Sequence, residues 1–217
     1  MTLLPLETAE DLRQALPAVA AHLHRGGLLA YPTETVYGLG SRPRDADVAA
    51  LAALKGRQRE KPFLLLVSNR RMAELHGLVF TEAANALAAA FWPGPLTLVL
   101  AGGEGRLPDM LRGPEGGIAV RWTSHPAMAQ LIEALGHPLT STSANLPGGP
   151  TAPGAAAIAA TFTAAVANGT LLVLDGGTLG NVPPSTVVDC TRPQPRLIRD
   201  GAIPKTELRR RAGSAAP

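Results

Sequence analysis

Apolar residues recur along this chain in two rhythms, and the switch between them outlines its elements. Leu12, Leu16, Val19 and Leu23 are spaced by four, three and four positions, one face of a helix, and Thr8 with Asp11 forms a capping-box pattern at its start. Pro17 falls inside this helix and should weaken or kink it. Residues 28–31 are a short apolar run between Gly27 and Pro32, read as a buried strand, and Asp47, Val48, Leu51 and Leu54 predict the next helix. A strand over 63–67, an Ala-rich helix over 81–91 and a strand over 96–100 follow, and then a long loop over 102–117. Residues 118–121 read as a strand; Pro126 then opens and Gly136 stops a helix carrying Met128, Leu131, Ile132 and Leu135. A strand at 139–141, a helix over 153–162 and strands at 171–174, 185–189 and 196–199 complete the series. The connections are too short and too mixed for a purely parallel sheet. The expected fold class is α/β, one mixed, twisted sheet with flanking helices. A single domain is expected over 1–217, with its core at about 8–203 and a flexible tail at about 204–217.

Composition narrows the picture. At 217 residues and 46% hydrophobic, the chain can bury one sizeable core. Its 23 glycines and 20 prolines predict many tight, backbone-shaped loops. Aromatic residues make up only 4%, too few for a platform that stacks single-stranded nucleic acid. The lone Cys190 forbids an internal disulfide and a cysteine-rich zinc site, which fits a reducing cytoplasm. Glu7, Glu10 and Asp11 stand where a signal peptide would need basic residues, and no apolar run is long enough to span a membrane, so a cytoplasmic protein is expected. A net charge of +3 permits an anionic partner without demanding one.

Several familiar constellations are missing. Gly38-Leu-Gly40 lacks the third glycine and following helix of a dinucleotide fingerprint, and there is no phosphate loop of the Gly-x4-Gly-Lys type. His22 and His24 lie two apart on a helix and face different sides, and Ser141 and Ser143 have no neighbouring base for a nucleophile relay. What remains is a set of polar residues at strand ends. Tyr31-Pro-Thr-Glu-Thr-Val-Tyr-Gly-Leu-Gly40 puts two threonines, a glutamate and a tyrosine in a stiffened turn, although a glycine-closed surface loop fits the same pattern. Lys55-Gly-Arg-Gln-Arg-Glu-Lys61 gathers four cations at a helix C-terminus, where a solvated helix end would also favour them. Arg121 and Arg199 end strands, while Thr140-Ser-Thr-Ser-Ala-Asn145 and Ser185 bring hydroxyls and an amide. Hydroxyls and cations with little acid suit a polyanion such as a nucleotide.

Seven blocks, in order, resemble the YrdC-type threonylcarbamoyl-AMP synthases in their short, single-domain form. They are the segment from Tyr31 to Gly40, Lys55-Gly-Arg57, Trp92-Pro-Gly-Pro-Leu-Thr97, Ala119-Val-Arg121, Ser143-Ala-Asn145, Ser185-Thr-Val-Val-Asp189 and Arg199-Asp-Gly-Ala-Ile203. The resemblance implies a mixed sheet around a deep, positively charged cavity. It also implies an enzyme that makes threonylcarbamoyl-AMP and pyrophosphate from L-threonine, bicarbonate and ATP, with Mg2+ on the ATP and no metal ligand from protein side chains. The product would serve threonylcarbamoyladenosine modification of tRNA, which is met directly or through a downstream transferase complex.

By motif position, Thr33, Arg121, Ser141 and Ser185 resemble threonine-binding residues. Lys55, Arg57 and Lys61 resemble the triphosphate-facing cluster, the first two as catalytic residues, with Ser143, Asn145, Thr151 and Arg199 on the nucleotide side. Two positions depart from the pattern: Leu66 stands where many relatives carry histidine, and Leu146-Pro-Gly148 replaces the usual residues after Ser-Ala-Asn. A paralogous branch that uses the same cavity as a nucleotide- and RNA-binding module without this activity is the alternative.

Overall fold

The computed structural model describes residues 3–56, 62–180, 182–213 and 216–217. Helix α1 (Ala9–His24) begins on the capping box: Asp11 N–H donates to Thr8 Oγ1 at 3.1 Å and Thr8 N–H donates back to the Asp11 carboxylate at 2.8 Å. Pro17 is accommodated within it. The expected strands and helices appear as β2 (Leu28–Tyr31), α2 (Asp45–Lys55), β4 (Leu64–Val67), α4 (Glu82–Phe91), β6 (Leu96–Gly102), β7 (Ile118–Trp122), α5 (Pro126–Leu135), β8 (Leu139–Ser143), α6 (Ala155–Thr161), β9 (Leu171–Asp175), β10 (Thr186–Asp189) and β11 (Arg196–Arg199).

The remaining elements differ from expectation. Leu3–Pro5 forms β1, paired in parallel with β9, so the sheet starts before residue 8. Gly38–Gly40, read as part of a turn, is strand β3, with the glycines paired to Tyr31 and Leu29. Arg70–Leu75 and Leu78–Val79 add α3 and β5, both too short for a periodic signal. The 102–117 loop contains one tight helical turn at Asp109–Leu111. Thr163–Ala167 continues α6 as a separate helix, α7. In place of a flexible tail, Lys205–Ala212 forms α8; Leu208 is buried, and the Arg211 guanidinium lies 4.5 Å from the centre of the Phe91 ring. Leu208 is a single apolar anchor among charged neighbours, which is why no helical face was visible there.

Hydrogen bonding runs through the strands in the order β1-β9-β2-β3-β8-β4-β7-β6-β10-β11, with β5 on β6. Parallel and antiparallel pairs alternate irregularly: β4–β7 and β6–β10 are parallel, whereas β3–β8, β4–β8 and β6–β7 are antiparallel. Strand alternation divides the residues of the central strands. Leu96, Leu98, Leu100, Ile118, Val120 and Val188 are fully buried in the core. Thr97 and Val99, Ala119 and Arg121, Ser141 and Ser143, and Val187 and Asp189 occupy the other set of positions and line one cavity. No described helix is long and apolar enough to cross a membrane.

The phenol of Tyr31 crosses beneath β3 and donates to Thr140 O at 2.8 Å. A Cβ on Gly40 would lie 2.0 Å from that carbonyl oxygen and 2.7 Å from the phenol oxygen. Gly40→Ala should therefore cost about 1–3 kcal/mol, the usual range for overpacking, read as a lower denaturation midpoint. An unchanged midpoint would show that β3 can shift away from β8 without penalty.

Candidate active site

The cavity on the open side of the central strands has a volume of about 1120 Å3. Thr33, Lys55, Arg121, Ser141, Ser143, Asn145, Thr151, Ser185 and Arg199, all singled out in the sequence, line it together. Arg57 and Lys61 lie outside the described residues. Among the described residues, the lining carries the cations Lys55, Arg121, Arg196 and Arg199 against the acids Glu115 and Asp189, and both acids pair with Arg196 at its rim.

One end is built from the turn after β2 and the end of β7. Thr33 Oγ1 donates to Val36 O at 2.7 Å and receives the N–H groups of Thr35 and Val36 at 3.2 and 3.3 Å, closing a hydroxyl-bridged turn. That turn presents Thr35 Oγ1 to Arg121, whose Nη1 donates to it at 3.1 Å. Arg121 is only 4% exposed, so this guanidinium is a desolvated charge with most of its donor fork uncommitted. Ser141 pairs with Leu64 and Leu66 pairs with Arg121 across their strands, so a fully buried Leu66 stands beside the arginine in the sheet. Burial pushes the Tyr31 phenol well above its ordinary range, against the opposing pull of Ser141 and Arg121.

The neighbouring wall joins β10 to β11. Ser185 Oγ and Thr97 Oγ1 share a hydrogen bond of 2.8 Å, and Arg199 donates to Ser185 O through Nε and Nη2 at 3.1 and 2.8 Å. Burial lowers the Arg199 pKa, and repulsion from Arg121 adds to the effect. A buried cation, Arg121, and a more exposed one, Arg199, that repel one another mark a place where an anion is favoured.

The other end is tied by Lys55 at the close of α2. Its ammonium donates to Ser143 O at 2.7 Å, to Asn145 Oδ1 at 2.6 Å and to Asn145 O. Ser143 Oγ also donates to Asn145 Oδ1 at 2.6 Å, and Asn145 Nδ2 donates to Gly149 O at 2.6 Å. Lys55 thus organises the loop after β8, and Thr151 and Pro147 line the cavity just beyond it. Thr97 and Glu34 had no role assigned from the sequence, and Thr35, expected at the amino-acid end, was not read as the partner of Arg121. Only the Thr-Glu-Thr triplet could have pointed to two of them, and its spacing gives no sign of the partner 86 residues away.

The Sua5/YciO/YrdC family model, described as "Telomere recombination", matches residues 21–201. The chain belongs to this family. A threonylcarbamoyl-AMP synthase of Chromohalobacter salexigens is 42% identical over 186 residues, covering 84% of this chain and 94% of that protein. One from Pyrococcus abyssi is 35% identical over 195 residues, covering 89% of this chain but only 56% of the longer relative. The crystal structure of P. abyssi Sua5 complexed with L-threonine superposes with a TM-score of 0.87 at 31% identity, covering 99% of this chain and 62% of that one. The mixed sheet and its flanking helices are therefore the architecture of the family.

Proposed function

We propose that this chain is an L-threonylcarbamoyladenylate synthase, joining L-threonine, bicarbonate and ATP into threonylcarbamoyl-AMP with release of pyrophosphate. The observation that carries this reading is the nearly buried Arg121, held by Thr35 at the hydroxyl-lined end of a cavity large enough for an amino acid and a nucleotide together. Synthase relatives of matching length and the likeness to a threonine-bound Sua5 support it.

In this reading the threonine carboxylate sits on the free edge of Arg121. The threonine amine and bicarbonate condense to a carbamate with loss of water, and a carbamate oxygen attacks the α-phosphorus of ATP while the bond to pyrophosphate breaks. The reaction brings anions together, so its barrier is lowered by fixed cations and by exclusion of water rather than by a covalent nucleophile. Arg199 and Ser185 stand where the two substrates meet, and the loop tied by Lys55 frames the nucleotide side. Mg2+ brought in with ATP would offset the charge of the triphosphate. Asp189 and Glu115, the acids of the lining, are each engaged by Arg196. The product then serves tRNA modification.

Incubation with labelled threonine, bicarbonate and ATP should yield the mixed anhydride and threonine-dependent pyrophosphate. Binding of tRNA with no threonine-dependent pyrophosphate would favour the non-catalytic module instead. Selectivity follows from Thr33, Thr35, Ser141 and Ser185. A site that hydrogen-bonds the substrate hydroxyl should prefer threonine, then serine, then 2-aminobutyrate, since a lost methyl costs only about 1–3 kcal/mol. Turnover of 2-aminobutyrate above serine would mean that shape, not the hydroxyl, selects.

A further inference from the structure

Just behind the threonine end, two buried polar atoms face each other without a hydrogen bond. Glu34 Oε1 and Arg121 Nε each have no hydrogen-bond partner among the described residues, yet they stand 3.8 Å apart. The other carboxylate oxygen, Glu34 Oε2, accepts from Thr123 Oγ1 at 2.5 Å, and Thr123 Oγ1 accepts the His125 N–H at 3.2 Å. Arg121, Thr123 and His125 form the corner between β7 and α5, so one carboxylate latches that corner to the turn after β2. Glu34 does not line the cavity, whereas Thr33, Thr35 and Arg121 do.

We infer that Glu34 is a positioning residue for substrate recognition: it holds Arg121 from behind so that the Nη1 and Nη2 edge faces the cavity, and the open gap lets the guanidinium settle onto an incoming carboxylate. This rests on Arg121 being the carboxylate clamp of the proposed synthase. Charge and geometry make opposite demands here. A second carboxylate close to Arg121 repels the substrate carboxylate, so by charge alone the loss of Glu34 would tighten threonine binding. By geometry its loss loosens binding, because the arginine is no longer held at the right angle.

Glu34→Gln and Glu34→Asp separate the two. Glutamine can keep the bond from Thr123 but sets no negative charge beside Arg121, while aspartate keeps the charge but is one methylene too short both to accept from Thr123 and to stand beside Arg121. Each variant is expected to raise the KM for threonine about tenfold while the KM for ATP stays within about twofold, a split that general loss of structure would not produce. Thr123→Val removes the donor to Glu34 without touching any charge, and should shift the threonine KM in the same direction even where a Glu34 variant folds poorly. A lower threonine KM in Glu34→Gln, a wild-type KM in Glu34→Asp, or equal rises for both substrates would overturn the inference. Calorimetric titration with threonine keeps the two readings apart. Unaltered affinity in the variants beside a wild-type protein that binds threonine overturns the role of Glu34 alone, whereas a wild-type protein that binds none overturns the synthase with it.

Discussion

Arg121→Ala should raise the threonine requirement roughly a hundredfold and leave the requirement for ATP nearly unchanged. A desolvated guanidinium meeting a carboxylate through charge-assisted hydrogen bonds is worth about 3 kcal/mol, close to two powers of ten in affinity. The argument depends on burial: at 4% exposure Arg121 is poorly hydrated, and water cannot replace its bonds to substrate once the side chain is gone. Thr35 and Glu34 also lose their partner, and the orphaned carboxylate lowers stability as well. Steady-state kinetics with each substrate varied in turn, on protein shown to be folded by circular dichroism, give the answer. Equal damage to both substrates would contradict the division of the cavity into an amino-acid end and a nucleotide end.

Lys55→Met is expected to act on stability and nucleotide binding together. The ammonium satisfies three oxygens of the 143–145 segment from a side chain only 7% exposed. Methionine fills much of the volume but donates nothing, so Ser143 O, Asn145 O and Asn145 Oδ1 lose a charged donor in a poorly solvated place. Leaving such buried acceptors unsatisfied costs about 1–3 kcal/mol. The denaturation midpoint should fall markedly, and ATP affinity should weaken even where the protein remains folded, because the loop that frames the nucleotide is no longer tied to α2. A variant with lowered stability and wild-type ATP affinity would show that this loop is held for the fold and not for the ligand.

Much of the architecture was visible as periodicity. Helix α5 carries Pro at its first position, apolar residues on one face and a left-handed Gly136 after its last turn, so pattern and packing agree. The elements β1, β5 and α3, of two to six residues, have no period to read and no apolar run long enough to mark them; they exist because a neighbouring strand or core face was already in place. The same distinction holds at the site. Arg121, Ser141 and Ser185 stand out locally as polar residues beside apolar runs. Thr97 inside β6 and Glu34 inside the first turn owe their roles to partners 88 and 89 residues away, which no local pattern records. Thr33, expected at the threonine end, lines the cavity with its hydroxyl bonded inside its own turn, and that turn presents Thr35 to Arg121.

The place of β9 in the sheet bears on how the protein is made. Residues 171–175 lie between β1 and β2, so neither of the first two strands on that side has its parallel partner until most of the chain has left the ribosome. Meanwhile Leu28, Leu29 and Ala30, all buried in the finished protein, present an apolar edge with open hydrogen-bonding positions. Distant pairing of this kind slows folding, and the cavity, drawn from residues between 33 and 199, cannot exist in any early portion of the nascent chain. Translation speed and chaperone supply would therefore weigh more on the yield of working protein than its small size suggests.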